Sequence, residues 1–263
     1  MSAVEFTDPV GLEAAVARAA EARHLLVALD FDGTLAPLVD DPMSARMLPA
    51  ARDALTRLAH APETTVALVS GRTLEHLAEI SEREPDSLIH LAGSHGAEFW
   101  HPDADGEQDA DDDAALRDAL TAQAERIVGG VDGAWIEHKR FGFGLHTRLA
   151  DRDGAAEAIA RIDDLVRAEA PTWRRRTGQD ILEFASRHEG KDSAVRSLRE
   201  RVGADVVLFA GDDVTDEDAL TSLGAGDVGI RVGGGESVAE YRVADAAALA
   251  ALLGRIAEAR ARE

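Results

Sequence analysis

The sequence predicts an α/β fold in which a parallel sheet core is interrupted by a smaller, inserted α+β domain. Runs such as 25–29, 65–69 and 205–210 are apolar at nearly every position, which is typical of parallel strands covered on both faces. Segments with apolar residues at helical spacing separate these runs. The region 104–186 instead repeats one helix followed by a pair of strands, a pattern that favours a separate two-layer α+β unit.

Length and composition restrict the class of protein. With 263 residues, 45% of them hydrophobic, the chain can bury one large core or two modest ones. It contains no cysteine, which excludes disulfides and thiolate metal sites. The formal charge of −22 argues against nucleic acid and anionic membranes as partners. Because neither a secretory signal nor an apolar run of membrane-spanning length is apparent, we expect a cytoplasmic protein. We also expect the protein to be a monomer.

The first predicted strand, 25–29, leads directly into Asp30, Asp32, Gly33 and Thr34. In open α/β sheets, ligands bind beyond the carboxyl ends of the strands, so Asp30 is expected at the edge of a crevice. Two carboxylates two residues apart repel each other unless a cation lies between them, and a hard divalent ion is the best match. An ordinary Asp-rich turn closed by glycine is the alternative explanation.

The segment Asp30-Phe31-Asp32-Gly33-Thr34-Leu35 resembles the opening DxDGT motif of the haloacid dehalogenase (HAD) superfamily of phosphohydrolases. The resemblance implies a HAD-like Rossmannoid sheet, with Asp30 as the nucleophile that accepts the phosphoryl group. Asp32 would then act as general acid for the leaving alcohol and as general base for water, and Thr34 would contact the substrate. These roles agree with covalent catalysis, which replaces one difficult step by two easier ones.

The elements on either side of the second strand are also predicted. Helices are expected from Thr7-Asp8-Pro9 onward and at 51–59, and the strand at 65–69 follows the second of them. Ser70-Gly71-Arg72 ends this strand and precedes a helix at 74–80. A hydroxyl and free backbone N–H groups at a helix start suit a phosphate, although an ordinary turn explains the triplet equally well. By the resemblance, Ser70 is catalytic, and Gly71 and Arg72 contact the substrate.

A third strand is predicted at 87–92, and it ends in Gly93-Ser94-His95-Gly96-Ala97-Glu98. This Gly-x-His-Gly-Ala-Glu segment resembles trehalose-6-phosphate phosphatases, which narrows the likeness within the superfamily. The resemblance implies that residues Ser94 to Glu98 border the substrate pocket, with Ser94 and His95 as contacts of the substrate. Outside such a context, a lone histidine is more often a core residue.

Composition marks the boundaries of the inserted domain. Between His101 and Asp113 the residues are mostly Asp, Gly and Glu, which indicates a solvated linker, and they lack the regular offsets of a calcium loop. We assign residues 1–103 and 187–263 to a core domain and 104–186 to an inserted cap domain. Within the cap we expect helices near 114–128 and 154–169 and strands near 134–138, 141–147, 172–177 and 181–185.

One face of the predicted cap sheet is polar. Alternation along Trp135-Ile136-Glu137-His138-Lys139 puts Glu137 and Lys139 on the same face. Pattern alone explains this face equally well as part of a substrate crevice or as a solvated surface with ion pairs. The resemblance favours substrate binding, since trehalose-6-phosphate phosphatases have Glu-x-Lys, His-x-Arg and a later Glu in matching segments. Thr147 departs from that pattern, because the family has an aromatic residue between His and Arg. The candidates are Glu137, Lys139, His146, Arg148 and Glu183.

Lys191 precedes a predicted helix at 193–201. A surface lysine would be the ordinary interpretation. Its position after the cap and before the last motif strand instead makes it the candidate third motif, a catalytic lysine that holds phosphate as a point charge. Asp192 departs from the family, which usually has glycine there, and its carboxylate would partly offset the charge of Lys191.

The predicted strand 205–210 runs into the acid-rich string Gly211-Asp212-Asp213-Val214-Thr215-Asp216-Glu217, the most specific motif in the chain. So many acids at one strand end are costly without a cation, and Mg²⁺ is the best match because it binds a few carboxylates and retains waters. We expect Asp212 to ligate the metal directly, Asp213 to ligate it directly or through water, and Asp216 to orient water or Lys191. The predicted metal set is Asp30, Asp32, Asp212 and Asp213. A strand at 228–232 and a helix from Ala246 complete the core.

The resemblance implies a Mg²⁺-dependent phosphatase that hydrolyses trehalose 6-phosphate, a small-molecule substrate, through an aspartyl-phosphate. Another sugar-phosphate phosphatase or a phosphomutase on the same core is the alternative, and the cap residues decide between them. A phosphorelay receiver module also uses an acid cluster, a Thr or Ser, a Lys and a phosphorylated Asp on a parallel sheet. Paired aspartates at one strand end and an inserted cap argue against a receiver, which needs neither a leaving-group acid nor a lid.

Overall fold

The computed structural model describes residues 9–103, 113–178 and 180–261. Most of the predicted linker between His101 and Asp113 lies outside the described residues, as do Thr7 and Asp8 of the predicted first helix start. In the part of the chain that is described, no helix is both long and apolar enough to cross a membrane.

The chain divides into two compact units, the first comprising 1–108 and 189–263 and the second 109–188. The first unit begins with α1 (Pro9–Ala20), β1 (Leu25–Leu29), α2 (Pro49–Ala59), β2 (Thr64–Val69), α3 (Leu74–Ile80), β3 (His90–Gly93) and β4 (Glu98–Trp100). The second unit contains α4 (Ala114–Val128), β5 (Trp135–Lys139), β6 (Gly142–His146), α5 (Arg152–Glu169), β7 (Arg174–Gly178) and β8 (Ile181–Ala185). The first unit then resumes with α6 (Lys191–Val202), β9 (Val206–Gly211), α7 (Asp216–Ser222), β10 (Val228–Val232), β11 (Tyr241–Val243) and α8 (Ala246–Arg260).

The first unit is built on a seven-stranded sheet with the order β11-β10-β9-β1-β2-β3-β4. All neighbouring strands are parallel except β3 and β4, which pair antiparallel. The predicted α/β class with a parallel sheet core is therefore confirmed. Because β1 lies between β2 and β9, the strands that precede Ser70 and Asp212 flank the strand that precedes Asp30.

Both faces of this sheet are covered, which explains why the strands are apolar at nearly every position. Leu25, Val27 and Leu29 of β1 face a core formed with α1, α2 and α8. Leu26 and Ala28 face the opposite side, where they pack with residues of α6 and α7. Each of these five β1 side chains is buried, so the strand that precedes the site is anchored on both sides.

The second unit is a two-layer α+β structure. Its four strands form an antiparallel sheet in the order β5-β6-β8-β7. Phe143 and Leu145 of β6 and Leu182 and Phe184 of β8 pack into one hydrophobic core with residues of α4 and α5. Since side chains alternate along a strand, the residues between them point to the other face of the sheet.

The structure corrects several details of the predicted elements. The third strand begins at His90 and not at Ser87, and Leu88 before it is 44% exposed. The helix after the cap begins at Lys191, two residues earlier than predicted, so Lys191 is its first residue. The short strands β4 and β11 were not predicted, because three residues give no recognisable alternation.

Candidate active site

Asp30 and Lys191 form the centre of the candidate site. Asp30 directly follows β1, Lys191 begins α6, and both side chains are buried. Lys191 Nζ lies 2.6 Å from Asp30 Oδ1 and 2.7 Å from Asp216 Oδ1. Such contacts are required here, because an unpaired charge in the interior costs several kcal/mol.

Asp216, the first residue of α7, is completely buried. Its Oδ1 receives the hydrogen bond from Lys191, and its Oδ2 accepts one from the Asp213 amide at 2.9 Å. Both carboxylate oxygens are thereby used, one toward Asp30 through the lysine and the other toward the backbone of the loop between β9 and α7. Orienting Lys191 is one of the two roles that the sequence suggests for Asp216.

Thr34 and Asp212 lie on the other side of Asp30. Thr34 Oγ1 is 3.1 Å from Asp30 Oδ2 and 3.0 Å from Asp212 Oδ1. The Thr34 side chain is completely buried, and its hydroxyl joins two carboxylates. The Thr34 hydroxyl thus has two partners within the acid group, and its contact with the substrate stays a prediction.

Two glycines provide the space for these carboxylates. Gly33 has a φ of +79°, and a Cβ at that position would lie 2.1 Å from Asp212 Oδ2. A Cβ on Gly211 would lie 2.2 Å from Asp216 Cγ. The carboxylates thus pack directly on backbone where no other residue type leaves room, and at Gly33 the left-handed conformation adds a second requirement for glycine.

Negative charge is concentrated in this group. Burial raises the pKa of Asp30 well above its usual value; the charge of Lys191 opposes this effect, while Asp216 and Asp212 reinforce it. Burial also raises the pKa of Asp212, against the hydrogen bond from Thr34. Burial alone would lower the pKa of Lys191, but the carboxylates of Asp216 and Asp30 outweigh it and keep the pKa above the usual value of a lysine.

The carboxylates of Asp30, Asp212 and Asp216 could hold a metal ion. Each offers an oxygen, and these three oxygens lie within 4.8 Å of one another. Hard divalent cations prefer oxygen ligands, and Mg²⁺ in particular binds a small number of carboxylates while retaining waters. A cation would also relieve the repulsion that helps to raise the pKa values of Asp30 and Asp212. The residues therefore fit the predicted Mg²⁺.

Two members of the predicted metal set have other contacts. Asp213 is exposed, and its Oδ1 accepts the Val214 amide hydrogen at 2.7 Å. Asp32 forms a bidentate pair with Arg72, with distances of 2.6 Å from Nε to Oδ2 and 2.7 Å from Nη2 to Oδ1. Among the described residues, the acids whose oxygens lie close enough together to share one ion are Asp30, Asp212 and Asp216, because the turn after β9 directs the Asp216 carboxylate back toward Lys191. The places of Asp32 and Asp213 in the metal set stay predictions.

The loops after β2 and β3 are hydrogen-bonded to each other. The His95 amide donates to the Ser70 carbonyl at 2.9 Å, and the Ser94 amide donates to the Arg72 carbonyl at 2.6 Å. Ser70 Oγ accepts the Arg72 amide hydrogen at 3.2 Å. A Cβ on Gly71 would lie 2.6 Å from His95 Cε1, so glycine allows the imidazole to pack on the backbone. The structure thus brings together all five predicted residues of these two loops.

The turn after β3 contains two non-glycine residues in the left-handed region. The φ angles are +49° for Ser94 and +57° for His95, and such conformations cluster at functional sites. Glu98 supports the turn, since its Oε2 accepts the Ser94 hydroxyl at 2.6 Å and the Leu74 amide at 3.3 Å. The sequence places Glu98 at the border of the substrate pocket but does not predict that its carboxylate supports the turn.

In the second unit, four of the five polar candidates meet on one face of the sheet. Glu137 Oε2 lies 2.9 Å from His146 Nε2 and 3.7 Å from Lys139 Nζ, and Lys139 also pairs with Glu183. The strand register explains this grouping, since Glu137, Gly144 and Glu183 align across β5, β6 and β8. Glycine in the middle strand leaves space between the two acids, which Lys139 crosses.

The pairing stabilises the charged forms of this group. Burial favours neutral Glu137, but the hydrogen bond with His146 and the charge of Lys139 outweigh it, and the pKa is below its usual value. Burial likewise opposes charged Lys139, but Glu183 and Glu137 raise its pKa. Arg148, the fifth candidate, lies beyond the end of β6 and is exposed.

Comparison with known proteins identifies relatives of this chain. The family model described as trehalose-phosphatase matches residues 28–245. Trehalose-phosphate phosphatase of Mycolicibacterium paratuberculosis is 39% identical over 215 residues, which are 78% of this chain and 53% of that protein. For trehalose-phosphate phosphatase of Mycobacterium marinum the identity is 35% over 248 residues, or 88% of this chain and 61% of that protein. The chain thus spans little more than half the length of these relatives.

Solved structures show the same fold. The C-terminal domain of C. albicans trehalose-6-phosphate phosphatase superposes with a TM-score of 0.77 at 20% identity, covering 97% of this chain and 99% of that one. A protein described as trehalose-6-phosphate phosphatase related has a TM-score of 0.76 at 24% identity, covering 90% and 99%. Since the family model extends from β1 to the residue before α8, the chain belongs to the trehalose-phosphatase family.

Proposed function

We propose that the chain is a Mg²⁺-dependent phosphatase that hydrolyses trehalose 6-phosphate to trehalose and phosphate through an aspartyl-phosphate on Asp30. The observation on which this proposal depends is the buried group in which Lys191 Nζ lies 2.6 Å from Asp30 Oδ1 and three carboxylates converge. A nucleophilic carboxylate, an oriented ammonium and ligands for a divalent cation are components that phosphoryl transfer requires. Membership of the trehalose-phosphatase family supports the choice of substrate.

In the proposed first step, a carboxylate oxygen of Asp30 forms a bond to phosphorus while the bond between phosphorus and the sugar oxygen breaks. Lys191 offsets negative charge on the phosphoryl oxygens and holds Asp30 in place, since Asp216 orients its ammonium. When bound by Asp30, Asp212 and Asp216, Mg²⁺ would supply further positive charge for the phosphoryl oxygens. The group is preorganised, because hydrogen bonds between its own members hold it in place.

Asp32 is our candidate for proton transfer. The protonated carboxyl of Asp32 gives its proton to the leaving sugar oxygen. The resulting carboxylate takes a proton from the water whose oxygen attacks phosphorus while the bond between Asp30 and phosphorus breaks, which restores the protonated acid. Arg72 contacts both oxygens of Asp32, so we expect Arg72 to release one of them when Asp32 transfers a proton. A phosphate group offers Arg72 another bidentate partner, which makes this exchange chemically reasonable.

The remaining candidates divide into two sets by the unit to which they belong. In the first unit, the loops after β2 and β3 offer hydroxyl, amide and imidazole groups for the phosphate. In the second unit, ionised Glu137 and Lys139 offer an acceptor and a donor for sugar hydroxyls. We propose phosphate contacts for Ser70, Gly71, Arg72, Ser94 and His95, and sugar contacts for Glu137, Lys139, His146, Arg148 and Glu183.

A panel of sugar phosphates tests the proposal. Phosphate release is measured with Mg²⁺ for trehalose 6-phosphate, sucrose 6-phosphate and glucose 6-phosphate. We expect kcat/KM for trehalose 6-phosphate to exceed the others by about tenfold or more, because a site built to bind hydroxyls discriminates against substrates that leave its polar groups unpaired. We also expect excess chelator to abolish turnover.

The nearly isosteric Asp30→Asn variant tests the nucleophile. It should fold like the wild type and release no phosphate, because the amide removes the attacking charge. Turnover by this variant would exclude the covalent mechanism. In the panel of sugar phosphates, preference for another substrate would contradict the assignment of trehalose 6-phosphate. Activity in excess chelator would contradict the requirement for Mg²⁺.

A further inference from the structure

The loop 212–215 between β9 and α7, which we call the acid-bearing loop, determines where two acids of the site lie, since Asp212 begins it and Asp216 follows it. This loop has a partner on the neighbouring strand. Arg231 lies on β10 opposite Gly211 of β9. Its Nη1 donates to the Asp213 carbonyl at 2.9 Å and lies 3.3 Å from Glu217 Oε1. With only 11% of its side chain exposed, Arg231 is held closely against the loop.

The same arginine also reaches the segment that follows β10. Arg231 Nε donates to the Gly234 carbonyl at 3.3 Å, and Glu217 Oε2 accepts the Val238 amide hydrogen at 2.8 Å. Arg231 and Glu217 together therefore join the acid-bearing loop, the first turn of α7 and the segment 233–238. Charged hydrogen bonds of this kind constrain backbone more strongly than neutral ones.

The Asp213 peptide connects this contact with the site. Its carbonyl accepts hydrogen bonds from Arg231 and, at 3.2 Å, from the Asp216 amide, while its own amide donates to Asp216 Oδ2. A displacement of this peptide would move the Asp216 carboxylate, which in turn positions Lys191 beside Asp30. We propose that Arg231 is a positioning residue that holds the acid-bearing loop in the conformation needed for Mg²⁺ binding and phosphoryl transfer. The catalytic part of this inference rests on the proposed function.

Arg242 provides a matched control. It lies on β11, one strand farther from β9, and donates to the Gly233 carbonyl at 2.6 Å and the Gly235 carbonyl at 2.8 Å. Arg231 and Arg242 thus both donate to the glycine-rich turn 233–235. Of these two arginines, only Arg231 donates to the acid-bearing loop in the hydrogen bonds of the described residues. Replacing each by methionine separates the effect on the turn from the effect on the loop.

The experiment measures Mg²⁺ binding to the purified protein by calorimetry, steady-state kinetics on trehalose 6-phosphate at saturating Mg²⁺, and thermal stability. For Arg231→Met we expect Mg²⁺ affinity and kcat each to fall about tenfold or more while KM changes less than about twofold, since groups that orient ligands typically matter by this amount. Arg242→Met should lower Tm by about as much as Arg231→Met does. It should change Mg²⁺ affinity and kcat less than about twofold. Arg231→Lys should recover part of both losses, because its ammonium can donate to the Asp213 carbonyl.

Each outcome decides the proposal. If Arg231→Met binds Mg²⁺ like Arg242→Met, or if the wild type does not bind Mg²⁺, Arg231 does not position a metal-binding loop. If Arg231→Met loses affinity and Arg242→Met does not, the positioning role is supported. This binding result is independent of the substrate, so a wild type that binds Mg²⁺ but leaves trehalose 6-phosphate intact would overturn the proposed function and not this inference.

Discussion

Gly33 shows how strongly the site depends on a residue without a side chain. Its φ of +79° is a conformation that L residues rarely adopt, and a Cβ would overlap the Asp212 carboxylate. Asp212 also lies 3.0 Å from the Thr34 hydroxyl, which in turn contacts Asp30. A single added methyl group would therefore disturb the proposed metal ligand Asp212 and the proposed nucleophile Asp30 together.

We predict that Gly33→Ala lowers kcat about a hundredfold or more, because small displacements of reacting groups have effects of this size. Gly203→Ala is the control. Gly203 also has a left-handed φ, +64°, but lies at the end of α6 with open space around the position of its Cβ. Gly203→Ala should lower the free energy of unfolding by about 1 kcal/mol and leave kcat unchanged. Steady-state kinetics measure kcat of both variants, and urea unfolding measures their stability. Equal losses of kcat in the two variants would show that backbone strain, not the Asp212 contact, is responsible.

Residue types at the strand ends could be predicted, but their pairing could not. The opening motif and the acid string identify Asp30 and Asp212 from sequence, because buried parallel strands place the residues after their carboxyl ends at one edge of the sheet. Which neighbouring acid joins them depends on the path of a four-residue loop. That path turns Asp216 inward and leaves Asp213 exposed, and no periodicity in the sequence specifies it.

At the scale of elements, the apolar patterns located most helices and strands because the elements around the site are buried on a consistent face. Short elements are different. The antiparallel strand β4 comprises only Glu98, Phe99 and Trp100 and depends on pairing with β3, a contact that the local sequence does not encode. The start of β3 is also set by tertiary context, since the apolar residues before His90 are partly or largely exposed.

A histidine pair lies where β3 begins and β4 ends. His90 Nδ1 lies 2.8 Å from His101 Nδ1, and the rings meet edge to face with centroids 5.1 Å apart. Burial, together with the neighbouring His101, lowers the pKa of His90 from 6.5 to about 4; Asp103 opposes this shift and Arg201 adds to it. Burial and Arg201 also lower the pKa of His101, again against Asp103. Folding therefore disfavours protonation of this histidine pair.

The sign of the pH dependence is set by this shift. Between pH 4 and pH 6.5 the unfolded chain binds a proton at His90 that the folded protein excludes, so stability rises with pH through this window and falls on acidification. We predict that His90→Gln, which keeps a hydrogen-bonding side chain but cannot titrate, loses less unfolding free energy between pH 7 and pH 5 than the wild type. The difference should be on the order of 1 to 2 kcal/mol. Urea unfolding at both pH values measures it, and parallel losses in the two proteins would contradict the assignment.

At the scale of the whole molecule, the two units have separate hydrophobic cores and separate polar groups. The buried acids and Lys191 belong to the first unit, whereas the ion-paired face of Glu137, Lys139 and Glu183 belongs to the second. If phosphoryl transfer is confined to the first group and sugar recognition depends on the second, substitutions in the second should affect only substrates that contain the sugar.

We therefore predict that Glu137→Ala, Lys139→Ala and Glu183→Ala lower kcat/KM for trehalose 6-phosphate about tenfold or more, since each leaves hydrogen-bonding groups unpaired at a cost of about 1–3 kcal/mol. Hydrolysis of p-nitrophenyl phosphate, which has no sugar hydroxyls, should stay within about twofold of the wild type. Glu157→Ala is the control, because Glu157 forms an exposed ion pair with Arg161 on α5 of the same unit and should alter neither substrate. Equal losses on both substrates would mean that the polar face maintains the structure of the second unit, and the trehalose part of the proposal would then lack support from this unit.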